Sequence, residues 1–336
     1  MKALGLRLAY HADLAQVQEQ PALAALLAAA DAPFDRVAWW QGLVADCGLS
    51  PLYASAQVPG GGAALMALQQ VEGGLAALVN WYSFRWRVLL GDAALGPALL
   101  RALAGGLAGV AGRLTLAPLD EDEAEALAIA LRQTGWWVEQ SFLHHNHILR
   151  PAGRSGAAFL AGRPGAMRST IRRMGARMET RIHRAFDADA WAAYEAIYAD
   201  SWKPVEGSPA FLRHFAEAEG AAGRLRLGLA LLEGEPVAAQ LWTVEAGTAY
   251  IHKLAYRESA RRFSPGTVLS AAMFTAAIDE DRVALIDYGT GSEPYKADWT
   301  EEARPRYRLT AWRPARPANW PPIARALARR LIRRYP

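Results

Sequence analysis

The order of apolar segments between residues 180 and 314 most constrains how this chain folds. Segments rich in branched and aromatic residues alternate there with segments whose apolar residues recur at helical spacing. The predicted strands are Thr180–Phe186, Arg224–Glu233, Val237–Glu245, Thr248–Tyr256, Val283–Tyr288 and Arg304–Pro314, and the predicted helices are Asp189–Trp202, Pro209–Glu219 and Gly266–Asp281. The resulting β-α-α-β-β-β-α-β-β order predicts an α/β layer with a mixed sheet flanked by helices.

The first half alternates less regularly, and at 336 residues the chain is long enough for two domains. Its predicted elements are a helix Phe34–Gly48, strands Ala63–Val71 and Leu75–Val79 around the turn Glu72-Gly73-Gly74, a strand Trp86–Leu90, helices Leu95–Val110 and Asp120–Thr134, and strands Arg113–Ala117 and Trp136–Leu149. We therefore expect one α/β unit in residues 1–150, a linker and basic helix in 151–179, a second unit in 180–314, and a basic tail in 315–336.

The positive charge is concentrated in the second half. The net charge is +4, but residues 1–150 carry −4 and the remainder carries +8, so a polyanionic ligand is expected with the second half. Between Arg150 and Arg184 there are nine arginines and a single acid, Glu179. The basic helix Met167–Glu179 is either a solvated surface or a contact with phosphates of a ligand or nucleic acid.

The compartment and the tail are predicted from composition. The single cysteine, Cys47, excludes an intramolecular disulfide, and the N-terminal residues lack a signal-peptide pattern. We expect a cytoplasmic protein. The segment Ile323–Tyr335 predicts a basic amphipathic helix that packs on its own domain, contacts RNA or lies on the anionic inner face of a membrane. His144, His145 and His147 lack accompanying carboxylates or cysteines, so no metal site is predicted.

The connection between strand Thr248–Tyr256 and the next helix has the chemistry of an anion site. Ser264 is expected to cap the helix, and Pro265 suits its first turn. Gly266 and Thr267 follow, where unpaired backbone N–H groups and the helix dipole favour a pyrophosphate. The upstream pair Arg261 and Arg262 would add bidentate phosphate contacts. The alternative is an ordinary capped helix with two surface arginines.

Several motifs of the second half resemble the GNAT acyltransferases, and more closely the branch related to CelD proteins of cellulose biosynthesis and to FemAB-like aminoacyltransferases. They are His252-Lys253-Leu254-Ala255-Tyr256, Arg262-Phe263-Ser264-Pro265-Gly266-Thr267, Asp287-Tyr288-Gly289, Gly291, Glu293, and Tyr295-Lys296 followed by Trp299. Ala38-Trp39, Asn80-Trp81-Tyr82-Ser83 and Gly135-Trp136 resemble the first, degenerate unit of that branch. The GNAT phosphate loop reads Gln/Arg-x-x-Gly-x-Gly/Ala, whereas this chain has one glycine there.

The resemblance implies two GNAT-like units and acyl transfer without a metal or a covalent enzyme intermediate. The second unit would bind acyl-CoA as co-substrate through Arg261, Arg262 and residues 264–267. The first unit would shape the acceptor site. His252 and Asp287 are alternative bases, each with a structural alternative: an ordinary strand histidine and a turn-forming aspartate.

Further site residues are expected around these. Tyr295 and Lys296 are further catalytic candidates. Lys296 matches a lysine of the branch and would hold an anionic substrate group or developing charge, unless it only pairs with Glu293. Acceptor contacts are expected from Trp202, Lys203, Asn80 and Tyr82.

Three functions follow from the resemblance. The first is an N-acyltransferase acting on an amine-bearing small molecule, such as an amino sugar or an envelope or exopolysaccharide precursor. The second is an aminoacyl-tRNA-dependent, FemAB-like transferase acting on a peptide or peptidoglycan precursor. The third is a binding module without catalysis, suggested by the missing glycine.

Overall fold

The computed structural model describes residues 5–291 and 294–334, with side chains through residue 329. The chain forms two compact units: unit 1 comprises residues 1–144 and 305–336, and unit 2 comprises residues 145–304. The chain therefore passes from one unit to the other within a strand, twice.

The strands are β1 (Arg7–His11), β2 (Pro51–Gln57), β3 (Ala63–Val71), β4 (Gly74–Ala77), β5 (Leu89–Leu90), β6 (Arg113–Leu119), β7 (Trp137–Leu149), β8 (Met178–His183), β9 (Leu225–Leu232), β10 (Glu235–Glu245), β11 (Thr248–Tyr256), β12 (Leu285–Thr290) and β13 (Glu302–Trp312). The helices are α1 (Leu14–Gln18), α2 (Pro21–Ala28), α3 (Val37–Ala45), α4 (Gly96–Val110), α5 (Glu121–Gln133), α6 (Gly156–Ala161), α7 (Gly165–Gly175), α8 (Ala188–Ala199), α9 (Pro209–Ala221), α10 (Pro265–Asp279), α11 (Tyr295–Trp299) and α12 (Trp320–Arg334). Short 3-10 helices cover Pro33–Asp35, Glu258–Phe263 and Pro317–Asn319.

Unit 1 contains a mixed sheet in the order β1-β2-β3-β4-β6-β13, with β5 paired to β3. The pair β4 and β6 is parallel, and the other described pairs are antiparallel. Helix α4 places Leu99, Leu103 and Leu107 on one stripe, and all three are buried in the core with Leu127 and Leu131 of α5.

Unit 2 contains a mixed sheet in the order β7-β12-β11-β10-β9-β8, in which only the described pair β11 and β12 is parallel. Its central helix is α10, most of whose residues are buried, as expected for a helix that is apolar on all sides. Phe274 of α10 stacks on Phe159 of α6, with ring centroids 5.3 Å apart.

The α/β class, with mixed sheets flanked by helices, is confirmed in both units. Strand β11 has the predicted bounds, as does β3. Of the predicted strand Trp86–Leu90, only the last two residues form a strand, β5. The segment read as a linker contains α6, because Ser155 caps a short helix that Phe159 anchors in the core.

The two compact units differ from the sequence divisions at residues 150, 179 and 314. The basic helix α7 belongs to unit 2, whereas β13 belongs to unit 1 from residue 305 and pairs with β6 between Tyr307 and Trp312. The tail helix α12 packs on unit 1 through fully buried Ala326, and Arg329 pairs with Glu139 at 3.0 Å. Within the described residues, no helix is long and apolar enough to span a bilayer.

Candidate functional site

The two parallel strands of unit 2 diverge. Their described pairing runs from Thr248 opposite Leu285 to Tyr250 opposite Asp287, and β11 then continues to Tyr256 without β12 beside it. No described pair joins residues 251–256 of β11 to β12, and a strand edge of this kind offers N–H donors and C=O acceptors at regular spacing to a ligand.

A cavity of about 660 Å³ lies at this divergence. Helix α7 contributes Ala166, Met167 and Thr170, and β11 contributes Leu254 and Tyr256. Six residues singled out in the sequence also line it: Trp202, Arg261, Ser264, Gly266, Thr267 and Tyr295. A volume of this size accommodates a substantial part of a cofactor-sized ligand.

Ser264 occupies the left-handed backbone region, with φ 51° and ψ 47°. It is the N-cap of α10, and its carbonyl accepts from the N–H groups of Thr267 (3.1 Å) and Val268 (3.2 Å). Its hydroxyl makes no capping hydrogen bond within the described residues, so the expected capping role falls to the backbone. Ser264 stands where the GNAT motif has its first glycine, and the left-handed φ is the physical reason for glycine there.

Gly266 brings the start of α10 against β11. A Cβ at this position would lie 3.2 Å from Cδ1 of Tyr256, closer than ordinary van der Waals contact. Pro265 occupies the first position of the helix, as predicted.

The two arginines of the loop differ in position. Arg261 lines the cavity, is 72% exposed and pairs with Glu258 at 3.0 Å. The guanidinium of Arg262 lies 4.7 Å from the centroid of Phe263, and that of Arg177 lies 4.9 Å from the same ring. Phe263 thus joins the C-terminal end of the basic segment to the phosphate loop by two cation–π contacts.

His252 lies at a β-bulge of β11. Leu241 of β10 is opposite Lys253 and the next residue is opposite Ile251, so His252 is the extra residue. The side chains after the bulge alternate between the two faces of the sheet in a shifted register. Leu254 and Tyr256 line the cavity. The imidazole of His252 instead shares a 2.8 Å hydrogen bond with the Thr243 hydroxyl and packs edge-on against Phe215. His252 therefore does not share the face of Leu254 and Tyr256, because a bulge reverses the pleat.

Asp287 ends the paired part of β12 and is 6% exposed. Both of its carboxylate oxygens accept from Asn146 Nδ2 at 2.9 Å, and Oδ1 also accepts from the Gly289 N–H at 2.8 Å. This is the turn-forming arrangement. Asn146 is fully buried, and the sequence reasoning missed it because its partner lies 141 residues away.

Lys296 is 5% exposed and donates to the carbonyl of Thr290. Its Nζ lies 5.8 Å from the ring centroid of Tyr288, which lines the cavity. Tyr295 meets the same Tyr288 ring edge-on at 6.0 Å. The predicted partner Glu293 lies outside the described residues.

The four predicted acceptor contacts fall in two places. In unit 2 the Trp202 and Tyr256 rings pack in a tilted arrangement with centroids 4.1 Å apart, and Lys203 Nζ lies 5.2 Å over the Trp202 ring. In unit 1, Asn80 accepts from the Tyr82 N–H at 3.0 Å and donates toward Cys47 Sγ at 3.4 Å, and Tyr82 is buried. Asn80 and Tyr82 thus hold a turn of unit 1.

Among the described residues, no three His, Cys, Asp or Glu side chains are grouped to hold a metal ion. A ring nitrogen of His147 lies 3.0 Å from the carbonyl oxygen of Gly291.

Comparisons with known proteins agree with this geometry. Residues 165–297 match the model of the acetyltransferase (GNAT) domain family. No curated protein matches the sequence.

Three solved structures are similar in fold. FemX is 11% identical, with 90% of this chain and 96% of that chain covered and a TM-score of 0.61. The C-terminal domain of a putative lysylphosphatidylglycerol synthetase from Agrobacterium fabrum is 13% identical, covers 89% and 92%, and has a TM-score of 0.59. A tandem GNAT protein from the clavulanic acid biosynthesis pathway is 15% identical, covers 90% and 98%, and has a TM-score of 0.53.

The divergent strands, the loop before α10 and the matched segment together identify the class as a GNAT-type acyltransferase fold. The family match lies within unit 2 and covers less than half of the chain, so it assigns a GNAT-type domain to residues 165–297.

Proposed function

We propose that the chain is an N-acyltransferase that transfers an acyl group from acyl-CoA, bound in the unit 2 cavity, to an amine acceptor. The observation that carries this proposal is the divergence of β11 and β12 directly beside the phosphate-type loop. The acceptor nitrogen forms a bond to the thioester carbonyl carbon, the C–S bond breaks, and CoA leaves as a thiol. Backbone N–H groups on the open edge of β11 would stabilise the oxyanion.

The residues of the loop fit a pyrophosphate. Ser264 adopts the conformation for which the family motif has glycine, so the missing glycine does not change the shape of the loop. Gly266 keeps the helix start close to the strand, and Arg261 supplies a cation at the cavity. These features argue against a degenerate binding module.

The bulge gives His252 a role on the acceptor side. Its imidazole lies on the face of β11 away from the cavity-lining residues Leu254 and Tyr256 and is only partly buried. We propose that the acceptor amine approaches from that face and that His252 accepts its proton, directly or through water. Asp287 is the weaker base, because Asn146 and the Gly289 N–H already occupy its oxygens.

A second candidate is a transferase that takes its acyl group from aminoacyl-tRNA. Helix α7 lines the cavity and also exposes Arg168, Arg172 and Arg173, and the exposed Arg177 follows just after the helix. A basic surface beside the donor cavity suits a nucleic-acid phosphate backbone. The acceptor would then be a peptide or peptidoglycan precursor. For the CoA-dependent reaction the resemblance favours an amino sugar or an envelope or exopolysaccharide precursor. The role of unit 1 at the acceptor site and the membrane contact of α12 remain predictions.

Thermal-shift titrations with CoA, acetyl-CoA, longer acyl-CoAs and charged tRNA test the proposal. Saturation at about 100 times Kd adds roughly 2.7 kcal/mol to the free energy of unfolding, which raises the melting temperature. We expect a rise with at least one acyl-CoA, and a weaker rise at equal ligand concentration in Arg261→Ala. Arg213→Ala is the matched control, because Arg213 also forms an exposed salt bridge within one helical turn.

The other outcomes discriminate the alternatives. A rise only with charged tRNA would replace acyl-CoA by aminoacyl-tRNA as donor. No rise with either ligand would leave the binding module as the better account.

A further inference from the structure

A second cavity of unit 2 lies between α8, α9 and the loop of residues 200–208, and we call it the aromatic pocket. Its volume is about 410 Å³, and its lining includes Trp191, Tyr194, Tyr198, Pro209 and Leu212. A pocket of this size that is lined by aromatic and aliphatic side chains is typical of a small-molecule site.

The aromatic walls are rigid. The ring centroids of Trp191 and Tyr194 are 4.8 Å apart, and those of Tyr194 and Tyr198 are 6.1 Å apart along α8. Trp191 is 1% and Tyr194 is 3% exposed, so packing fixes both rings. Of the three rings, Tyr198 is the half-buried one, and the two buried rings hold it in place, so a flat apolar group can contact it at little cost in conformational entropy.

The mouth of the pocket is apolar as well. Val205 lines it and is 97% exposed, next to Pro204. A group bound in the pocket would cover this valine, and the burial would contribute to binding.

One acid–base pair lies beside the pocket. Glu206 pairs with Lys253 at 2.8 Å, and both side chains are largely buried. Burial lowers the pKa of Lys253, while burial and the Glu206 carboxylate raise the pKa of Tyr198 to about 12. Glu195 and Lys203 also line the pocket, at its more exposed side, whereas its buried side is formed by aromatic and aliphatic side chains and favours an apolar group.

The strand β11 connects this pocket with the donor cavity. Lys253 belongs to the ion pair beside the pocket, and the next residue, Leu254, lines the cavity. The loop of residues 200–208 also connects the two, because Trp202 lines the donor cavity and Lys203 lines the aromatic pocket. A molecule seated in the pocket would thus lie beside the strand segment at which acyl transfer is proposed.

We propose that the aromatic pocket binds a flat, apolar group of the amine acceptor, so that the acceptor is an arylalkylamine in chemistry rather than an unsubstituted amino sugar. This inference rests on the proposed acyl transfer in unit 2. It names the acceptor class, which neither the matched family segment nor the similar folds specify.

Calorimetric titration with 2-phenylethylamine tests the pocket directly and requires no donor. We expect the protein to bind 2-phenylethylamine at least 10-fold more tightly than ethylamine or glucosamine. Ala199→Trp, which places an indole at the pocket wall, should weaken that binding at least 10-fold. Ala196→Trp is the control, because Ala196 is exposed on the same helix but is not a described lining residue.

Acetyl-CoA binding is measured on the same proteins. If Ala199→Trp binds 2-phenylethylamine as the unmodified protein does, or if glucosamine binds equally well, the inference is wrong even where acetyl-CoA binds normally. If 2-phenylethylamine binds as expected and no acyl-CoA binds, the pocket is supported and the proposed donor fails.

Discussion

Units 1 and 2 each contain a strand that is antiparallel to one neighbour and parallel to the other, but the space beyond the parallel pair is filled in unit 1 and open in unit 2. In unit 1, β4 pairs antiparallel with β3 and parallel with β6, and in unit 2, β11 pairs antiparallel with β10 and parallel with β12. In each unit the chain then leaves that strand and enters a helix, α4 or α10, whose first turn contains proline.

The difference is what fills the space beyond the parallel pair. In unit 1, Trp86 donates from its indole to the Ala67 carbonyl and from its backbone N–H to the Pro118 carbonyl, both at 2.7 Å. Strand β5 pairs with β3 past the end of β4. In unit 2 the corresponding space is the 660 Å³ cavity. One arrangement of strands therefore serves as core in one unit and as candidate donor site in the other, depending on the side chains of the following connection.

The largest expected effect comes from removing the tryptophan that fills unit 1. Trp86 is 3% exposed, so Trp86→Ala should lower the free energy of unfolding by about 3–5 kcal/mol in denaturant titrations. Trp202→Ala in unit 2, where the side chain is 45% exposed, should cost far less. Equal losses would contradict the distinction between a filled and an open position.

The second prediction compares the two helix starts. Gly266→Val should weaken acyl-CoA binding at least 10-fold, because the added methyl groups crowd Tyr256 and displace the start of α10. Gly96→Val at the start of α4 should change that affinity less than about 2-fold, whatever it does to stability, because we place the donor in unit 2. Isothermal titration of both variants with an acyl-CoA measures the two affinities. Equal weakening in the two variants would contradict a donor site that lies in unit 2 alone.

The third prediction concerns pH and unit 1. Burial, and next the Asp120 charge, raise the pKa of Glu123 from 4.5 to about 7, against the opposing charges of Arg85 and Arg87. Ionising this carboxyl in the fold is unfavourable, so its contribution to stability declines as pH rises from about 4.5 to about 7.

Glu123→Gln removes that decline and keeps an acceptor for the Asp120 backbone. Above pH 7 the variant should be more stable than the unmodified protein by roughly 1–2 kcal/mol. The measurement is denaturant unfolding at pH 5 and pH 8. A constant difference between the two proteins across this range would show that Glu123 does not titrate as described.

The smallest expected effect is at Ser264. Ser264→Gly should raise the free energy of unfolding by about 1 kcal/mol, because glycine adopts the left-handed conformation without the Cβ clash. Ser264→Ala should change little, since the hydroxyl makes no capping bond within the described residues. A loss of stability in Ser264→Gly would indicate that the serine side chain has another role.

Sequence patterns predicted the features of the two units that depend on residues close together in the chain. The bounds of β11, the proline at the start of α10 and the α/β class follow from periodicity and helix-start signals. The bulge at His252 could not be predicted, because it depends on the register with β10. The same holds for the bond between Asn146 and Asp287, which joins residues distant in sequence.

Helix α6 was concealed by a Gly- and Ala-rich composition typical of linkers, although Phe159 anchors it. The filling of unit 1 by Trp86 was missed for a related reason. Trp86 was predicted to begin the strand Trp86–Leu90, as an aromatic residue often does. In the structure its hydrogen bonds instead bridge the carbonyls of Ala67 and Pro118.

Hydrogen–deuterium exchange with and without acetyl-CoA tests whether the donor binds in unit 2 and not in unit 1, because it reports on both units in one experiment. The account predicts slower exchange in residues 251–256 of β11 and 264–268 at the start of α10, with residues 80–96 of unit 1 unchanged. Slower exchange in residues 80–96, without any change along β11, would contradict it.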